Sequence, residues 1–160
     1  MTSPLEGPVI YALIRSLKPN IVVETGVANG SSTTFILKAL ETNHKGQLFS
    51  IDMPSNYLNV KEIGWLVPEY LRKRWKLIIE DAKTALPKLL FNLKHVDIFL
   101  HDSLHTLDHV LFELKEAYNY MPKGGILIAD DVEIRWIKII TQEIKVNKKE
   151  LFYDLLVLRK

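Results

Sequence analysis

The sequence predicts an α/β fold, a Rossmann-like three-layer sandwich whose mostly parallel sheet is shortened at its C-terminal end. Two patterns carry that reading. Short apolar segments alternate with stretches of helical spacing along the whole chain. The apolar segments also lack polar alternation, as strands covered on both faces require. With 160 residues, 48% of them apolar, the chain fits one domain spanning 1–160 and can bury a core without staples.

Taken in order, "LEGPVIYALIRSLKP" spaces Val9, Ile10, Leu13, Ile14 and Leu17 as a helix that Pro19 closes. "NIVVETGV" is a β-branched run suited to a buried strand. "SSTTFILKALETN" predicts a helix capped by Ser31 or Ser32, and "GQLFSIDMP" a second strand stopped by Pro54. A weaker helix is expected over 61–75, split or restarted at Pro68. "KLIIEDA" reads as the third strand, "AKTALPKLLFNL" as a helix interrupted by Pro87, and "VDIFLHDS" as the fourth strand. The stripe Leu107, Val110, Leu111, Leu114, Ala117, Tyr118 and Met121 marks the clearest helix, stopped by "PKGG". "ILIADDV" supplies the fifth strand, "IRWIKIITQEIK" a helix, and "LFYDLLVLRK" one last strand or a very tight pair.

Composition narrows the function. Without cysteine there are no disulfides, thiolate metal sites or cysteine nucleophiles. A net charge of +2 is too small to argue for a nucleic-acid partner. The basic run "LRKRWK" reads as a solvated helix end, and Trp65, Trp75 and Trp136 as packing residues. No secretory signal and no membrane-length apolar run is visible, so a cytoplasmic protein is expected.

In an open parallel sheet, ligands bind at the carboxyl ends of the strands. Each of the five strands predicted there ends in an acid: Glu24, Asp52, Asp81, Asp102, then the pair Asp130 and Asp131. Any one of them alone serves as well as a helix cap. Together they make a rim that repels a pyrophosphate and suits a ligand bearing hydroxyls, amines or a cationic centre. The turn "ETGVANG" lacks the P-loop lysine, and Ala28 stands where a dinucleotide fingerprint has its middle glycine. Asp52 follows Gly30 by twenty-two residues, the place for a ribose-binding carboxylate. Asp81 lies near where an adenine amino group would sit. An adenosine joined to something cationic fits all three, and S-adenosylmethionine is the obvious candidate.

These segments resemble the class I S-adenosylmethionine-dependent methyltransferases over nearly the whole chain. "VVETGVANGSS" looks like that family's cofactor loop, "SIDMP" like its ribose acid, and "IIEDA" like its adenine-side acid. "VDIFLHDSLHTLDHVLFEL" followed by "PKGGILIADDV" is similar to a subgroup of small bacterial and archaeal members, several of which methylate hydroxyls of sugars or natural products. The resemblance implies that Glu24, Gly26, Gly30 and Ser31 hold the methionine end. It gives Asp52 the ribose, Asp81 and Ala82 the adenine, and it sets Asp102 beside the transferred methyl. Metal-dependent O-methyltransferases of this type hold magnesium with acids after the fourth and fifth strands, which Asp102, Asp130 and Asp131 match in kind. His101, between the apolar run and Asp102, departs from that pattern.

A hydroxyl acceptor must lose a proton to a base or to a metal. "HDSLH" offers both through Asp102 and His105, the latter the natural base near neutral pH. His101 faces the other side of the strand from Asp102 and is the weaker candidate. The expected function is O-methylation of a small-molecule acceptor. The alternatives are an idle methyltransferase-fold binding module and an aminopropyltransferase of the spermidine-synthase type. An apolar last strand left bare would be a hazard, so a homo-oligomer is expected, against which a purely monomeric sedimentation profile would count.

Overall fold

In the computed structural model, which describes residues 6–54 and 62–160, strand and helix alternate as the sequence predicts. Helix α1 (Glu6–Leu17) leads into β1 (Ile21–Thr25), α2 (Ser31–Thr42) and β2 (Gln47–Asp52). A 3₁₀ turn (Glu69–Arg74) precedes β3 (Trp75–Ile79), then α3 (Ala82–Leu93), β4 (Ile98–His101) and α4 (Leu107–Asn119). The chain ends with β5 (Ile126–Ala129), α5 (Ile134–Glu143), β6 (Lys148–Phe152) and β7 (Leu155–Arg159). The seven strands lie in the order β3-β2-β1-β4-β5-β7-β6. β1 to β5 are parallel, and β7 runs antiparallel to both β5 and β6. The order reverses between β1 and β4, the switch point where doubly wound sheets bind ligands.

Adjacent strand residues feed opposite faces. Val22, Leu48, Ile98 and Ile128 pack with Ile10, Ile14, Ile36 and Leu40 of α1 and α2. Val23, Phe49, Phe99 and Leu127 pack with Leu86, Leu90, Val110, Leu114 and Ile140 of α3, α4 and α5. Two cores therefore clamp the sheet and fix where its tips emerge, each buried apolar side chain contributing about 1.5–3 kcal/mol.

Local details depart from the sequence reading for identifiable reasons. Residues 62–68 form turns, and only the part after Pro68 becomes a short 3₁₀ helix, with Pro68 at its N-cap. Residue 61 lies outside the described residues. Pro87 does not interrupt α3: the Leu86, Leu89 and Leu90 stripe is buried through it, and the carbonyl it leaves unpaired belongs to exposed Lys83. The cap of α2 is Gly30, at φ 90°, because the Ser32 hydroxyl is donated elsewhere. Trp75 and Trp136 pack against the two cores, whereas Trp65 is exposed. The basic run is solvated and paired: Lys73 and Arg74 both reach Glu41, and Arg72 reaches Glu69 and lies over Trp75.

The C-terminal segment takes the tight-pair form, joined by Tyr153 and Asp154 alone. Apolar β7 is buried between β5 and β6, and the sheet edge falls to the exposed "KKELF" of β6. Lysines on an edge are a common guard against strand addition. The bare-edge argument for a homo-oligomer is thereby removed. No described helix is long and apolar enough to cross a membrane.

Candidate active site

The carboxyl ends of β1 to β4 open into a cavity of about 1110 Å³. Its wall carries Gly26 and Ala28 from the glycine loop, Asp52 and Met53 after β2, Asp81 and Ala82 after β3, and Asp102 to Leu104 after β4. Apolar Met53, Ile79 and Leu104 are exposed into it, a composition suited to a flat ring between polar anchors.

The glycine loop is held from three sides. Gly26 adopts φ 82°, and a Cβ there would lie 1.8 Å from the Asp102 carbonyl oxygen, so β1 and β4 can approach only if this residue is glycine. Ala28, where the dinucleotide fingerprint has glycine, takes the left-handed φ 48° that a glycine would take. Asp52 Oδ2 accepts the backbone N–H groups of Val27 (3.0 Å) and Ala28 (2.8 Å), and Oδ1 accepts that of Met53. Asp52 thus shapes the loop while facing the cavity, with lone pairs left on Oδ1. Asp81 likewise does two things: it caps α3 by accepting Lys83 N–H at 3.0 Å, and it lines the cavity.

Glu24 is placed differently from the reading that gives it the cofactor's cationic end. It is fully buried and accepts the hydroxyls of Ser32, Thr33 and Ser50 at 2.7–2.9 Å, outside the cavity lining. Burial, opposed by those three hydroxyls, pushes its carboxyl up to about 7. Its structural work is to tie the first turn of α2 to β1 and β2. Gly30 and Ser31 likewise lie behind the cavity wall, at the start of α2.

At the far end Asp102 and Asp130 share a hydrogen bond, and burial together with that neighbouring acid raises the Asp102 pKa. Asp130 is also raised, by burial first and then by Asp131. His105 Nε2 stands 3.9 Å from Asp102 and 3.7 Å from Asp131, and its ring hydrogen-bonds the Asp130 backbone. Burial and the nearby His101 lower its pKa, so it is neutral at neutral pH. The acids Asp102, Asp130 and Asp131 do not converge as a ligand set. Asp131, at φ 54°, swings toward His105 and Asp154. Among the described residues the one group of three histidine, aspartate or glutamate side chains whose ligand atoms all come within 4.8 Å of one another is Glu6, Asp130 and Asp154. The residues present therefore do not fit a magnesium ion at the anticipated trio.

Sequence reasoning overlooked Glu113. This fully buried carboxylate accepts Thr25 Oγ1 (2.6 Å), His101 Nδ1 (2.5 Å), Ser103 Oγ (2.9 Å) and His109 Nε2 (2.8 Å). A signal was available: residue 113 falls on the same helical face as Val110, Leu114 and Ala117. Glu113 joins the tips of β1 and β4 to α4 through Thr25, His101 and Ser103.

This architecture matches known proteins. A family model described as a methyltransferase domain matches residues 23–132. No curated protein matches the chain in sequence. Among solved structures, an O-methyltransferase from Bacillus cereus in complex with SAH superposes with a TM-score of 0.76 at 16% identity, over 100% of this chain and 83% of that one. The SAH-bound Podospora anserina methyltransferase PaMTH1 gives 0.73 at 15% identity, over 99% and 79%. The MycE methyltransferase of the mycinamycin biosynthetic pathway, in complex with Mg, SAH and mycinamycin VI, gives 0.70 at 16% identity, over 96% and 48%. The chain belongs to the methyltransferase-domain family and is built on its Rossmann-like fold.

Proposed function

We propose that the protein is an S-adenosylmethionine-dependent methyltransferase that transfers the methyl group to a hydroxyl of a small molecule. The observation that carries this is the cavity at the switch point, walled by the glycine loop and by Asp52, Asp81 and Asp102. In this reading Asp52 receives the ribose hydroxyls, Asp81 and Ala82 bound the adenine against Ile79, and Gly26 lets the methionine end approach the backbone. Glu24, Gly30 and Ser31 act from behind by fixing the loop. The cavity slightly exceeds the ~300–1,000 Å³ typical of ligand pockets, which leaves room for an acceptor near Asp102 and Leu104. All three of the solved structures named above are described with SAH bound, which supports the cofactor assignment.

Methyl transfer is an in-line displacement, so alignment supplies most of the rate. Held by Gly26, Asp52, Asp81 and Ala82, S-adenosylmethionine would supply the methyl group and keep the C–S electron pair, leaving as S-adenosylhomocysteine. His105 would take the proton of the acceptor O–H whose oxygen bonds to the methyl carbon. Neutral His105 stands just outside the cavity lining, 3.9 Å from Asp102 on the wall, and is positioned there by Asp131 and the Asp130 backbone to take that proton. The rate should fall as the pH drops through a value below 6.5, the ordinary histidine pKa, because a lowered pKa keeps the base neutral further into acid. His105→Gln should remove that acid limb along with most of the rate; an unchanged pH–rate profile would take His105 out of the chemistry.

Calorimetric titration with S-adenosylhomocysteine tests the cofactor assignment. Binding is expected, and Asp52→Ala should weaken it about 100-fold, since the carboxylate organises the loop as well as meeting the ribose. Absence of binding at hundreds of micromolar would sink this reading, and binding without turnover on any hydroxylated acceptor would favour the idle module. The terminal hairpin no longer argues for a homo-oligomer, and sedimentation at micromolar concentration decides whether one forms.

A further inference from the structure

Three acids outside the cavity wall meet at one point: Glu6 in the first turn of α1, Asp130 at the tip of β5, and Asp154 in the two-residue turn of the β6–β7 hairpin. One carboxyl oxygen from each lies within 4.8 Å of the others. Oxygens bound to one cation by metal–oxygen bonds of about 2.4 Å lie no farther apart than about twice that length, a condition these three meet. Glu6 and Asp130 are buried, at 1% and 3% exposure, and Asp154 is half-buried. Acids that close normally remain in water or share protons, and here Asp154 is hydrogen-bonded to Glu6.

An independent feature points to a ligand. Asp130 Oδ1 and Asp154 Oδ1 are both enclosed and have no hydrogen-bond partner. A buried carboxylate oxygen left unpartnered costs about 1–3 kcal/mol or more, so in a native fold it calls for an occupant. Among the described residues no lysine or arginine is ion-paired with Asp130 or Asp154. The donors are all carboxylate oxygens, which select hard cations over zinc or copper.

We propose that Glu6, Asp130 and Asp154 bind a hard divalent cation of the calcium or magnesium class, outside the methyl-transfer cavity. The site shares only Asp130 with the acids Asp102, Asp130 and Asp131, which do not converge. The ion fastens the start of α1 to the tip of β5 and to the terminal hairpin. Because Asp130 is also hydrogen-bonded to Asp102, occupancy sets the orientation of the acid at the acceptor end of the cavity.

The test is titration of the full chain, stripped with chelator, with calcium and magnesium separately and without S-adenosylhomocysteine. Calorimetry and the thermal midpoint give the readout, so the result does not depend on whether the methyltransferase reading holds. One cation per chain is expected, with a midpoint that climbs as the cation concentration rises. Glu6→Gln and Asp154→Asn should each weaken binding about tenfold or more, losing one of three charged ligands. Asp102→Asn, whose amide can still donate to Asp130, should bind as the parent does. Each variant's midpoint in chelator shows whether it is folded, and Asp154→Asn, in a surface turn, decides the matter if Glu6→Gln does not fold. Absence of binding to either cation at millimolar concentration overturns the proposal. So does the reverse pattern, in which Asp102→Asn abolishes binding while Glu6→Gln and Asp154→Asn leave it intact.

Discussion

Replacing Glu113 by alanine is expected to cost about 3–5 kcal/mol of stability, the usual penalty for removing one member of a buried charged network. For a chain of this length that is a fall in the thermal midpoint of roughly 6–20 °C. Four donors converge on this one carboxylate: Thr25, His101, Ser103 and His109. A carboxylate only accepts, so both imidazoles present N–H to it, which fixes their tautomers. His101 Nε2 and His109 Nδ1 are then buried without partners, and Glu113 is the group that makes their burial tolerable. Alanine would orphan all four donors at once. Glu113→Gln, which keeps the shape and one strong acceptor, should lose less.

The same network has a pH signature. Burial alone would raise the Glu113 pKa, but the hydrogen bonds from His101 and His109 outweigh it and hold the group down to about 2. A depressed carboxylate contributes stability that is present above its unfolded value of about 4.5 and is lost as the pH falls toward 2. Wild type should lose this increment between those values, and Glu113→Ala should show a flatter acid limb in the same range. A midpoint for Glu113→Ala within a degree or two of wild type would mean that the hub contributes nothing.

Glu113 also shows where reading from sequence stops. Parallel strands, both cores and the acids at the strand tips follow from patterns that physics makes strict: unbroken apolar runs, helical stripes and glycine turns. Asp52 and Asp81 therefore emerge at the cavity as their positions predict. What an individual carboxylate does there depends on which hydroxyls and amides reach it, and that depends on tertiary contacts between segments far apart in the chain. Glu24 looks like the residue that meets the cofactor, yet Ser32, Thr33 and Ser50 enclose it. Glu6 and Asp154 stand near opposite ends of the sequence and share no motif, so nothing local announces that they meet at Asp130. The C-terminal hairpin was open to two readings because a two-residue turn leaves almost no punctuation in the sequence.

Gly26→Ala is the second substitution with a large expected effect, and it separates two reasons for a glycine. The left-handed φ of 82° costs an alanine about 1–2 kcal/mol wherever it occurs. Gly124, at φ 88°, provides the control, since an added Cβ there meets only the flexible Arg159 side chain at 3.6 Å. At Gly26 the added Cβ meets backbone: the Asp102 carbonyl oxygen at 1.8 Å, its carbon at 2.4 Å and Ser103 N at 2.9 Å. Neither side can yield cheaply. β1 pairs with β4, Asp102 N–H donates to the Thr25 carbonyl, and Gly26 N–H donates to Ile51 at the tip of β2. Relieving the clash means prying the loop off the β4 tip and breaking those bonds. Gly26→Ala should therefore lose about 3 kcal/mol or more in urea unfolding, against about 1 kcal/mol for Gly124→Ala. S-adenosylhomocysteine binding should vanish in the first variant and persist in the second, because the displaced segment carries Val27 and Ala28 away from Asp52. Equal losses in the two variants would show that the clash relaxes freely. In that case the contact between the glycine loop and the β4 tip would not be what shapes the cofactor end of the cavity.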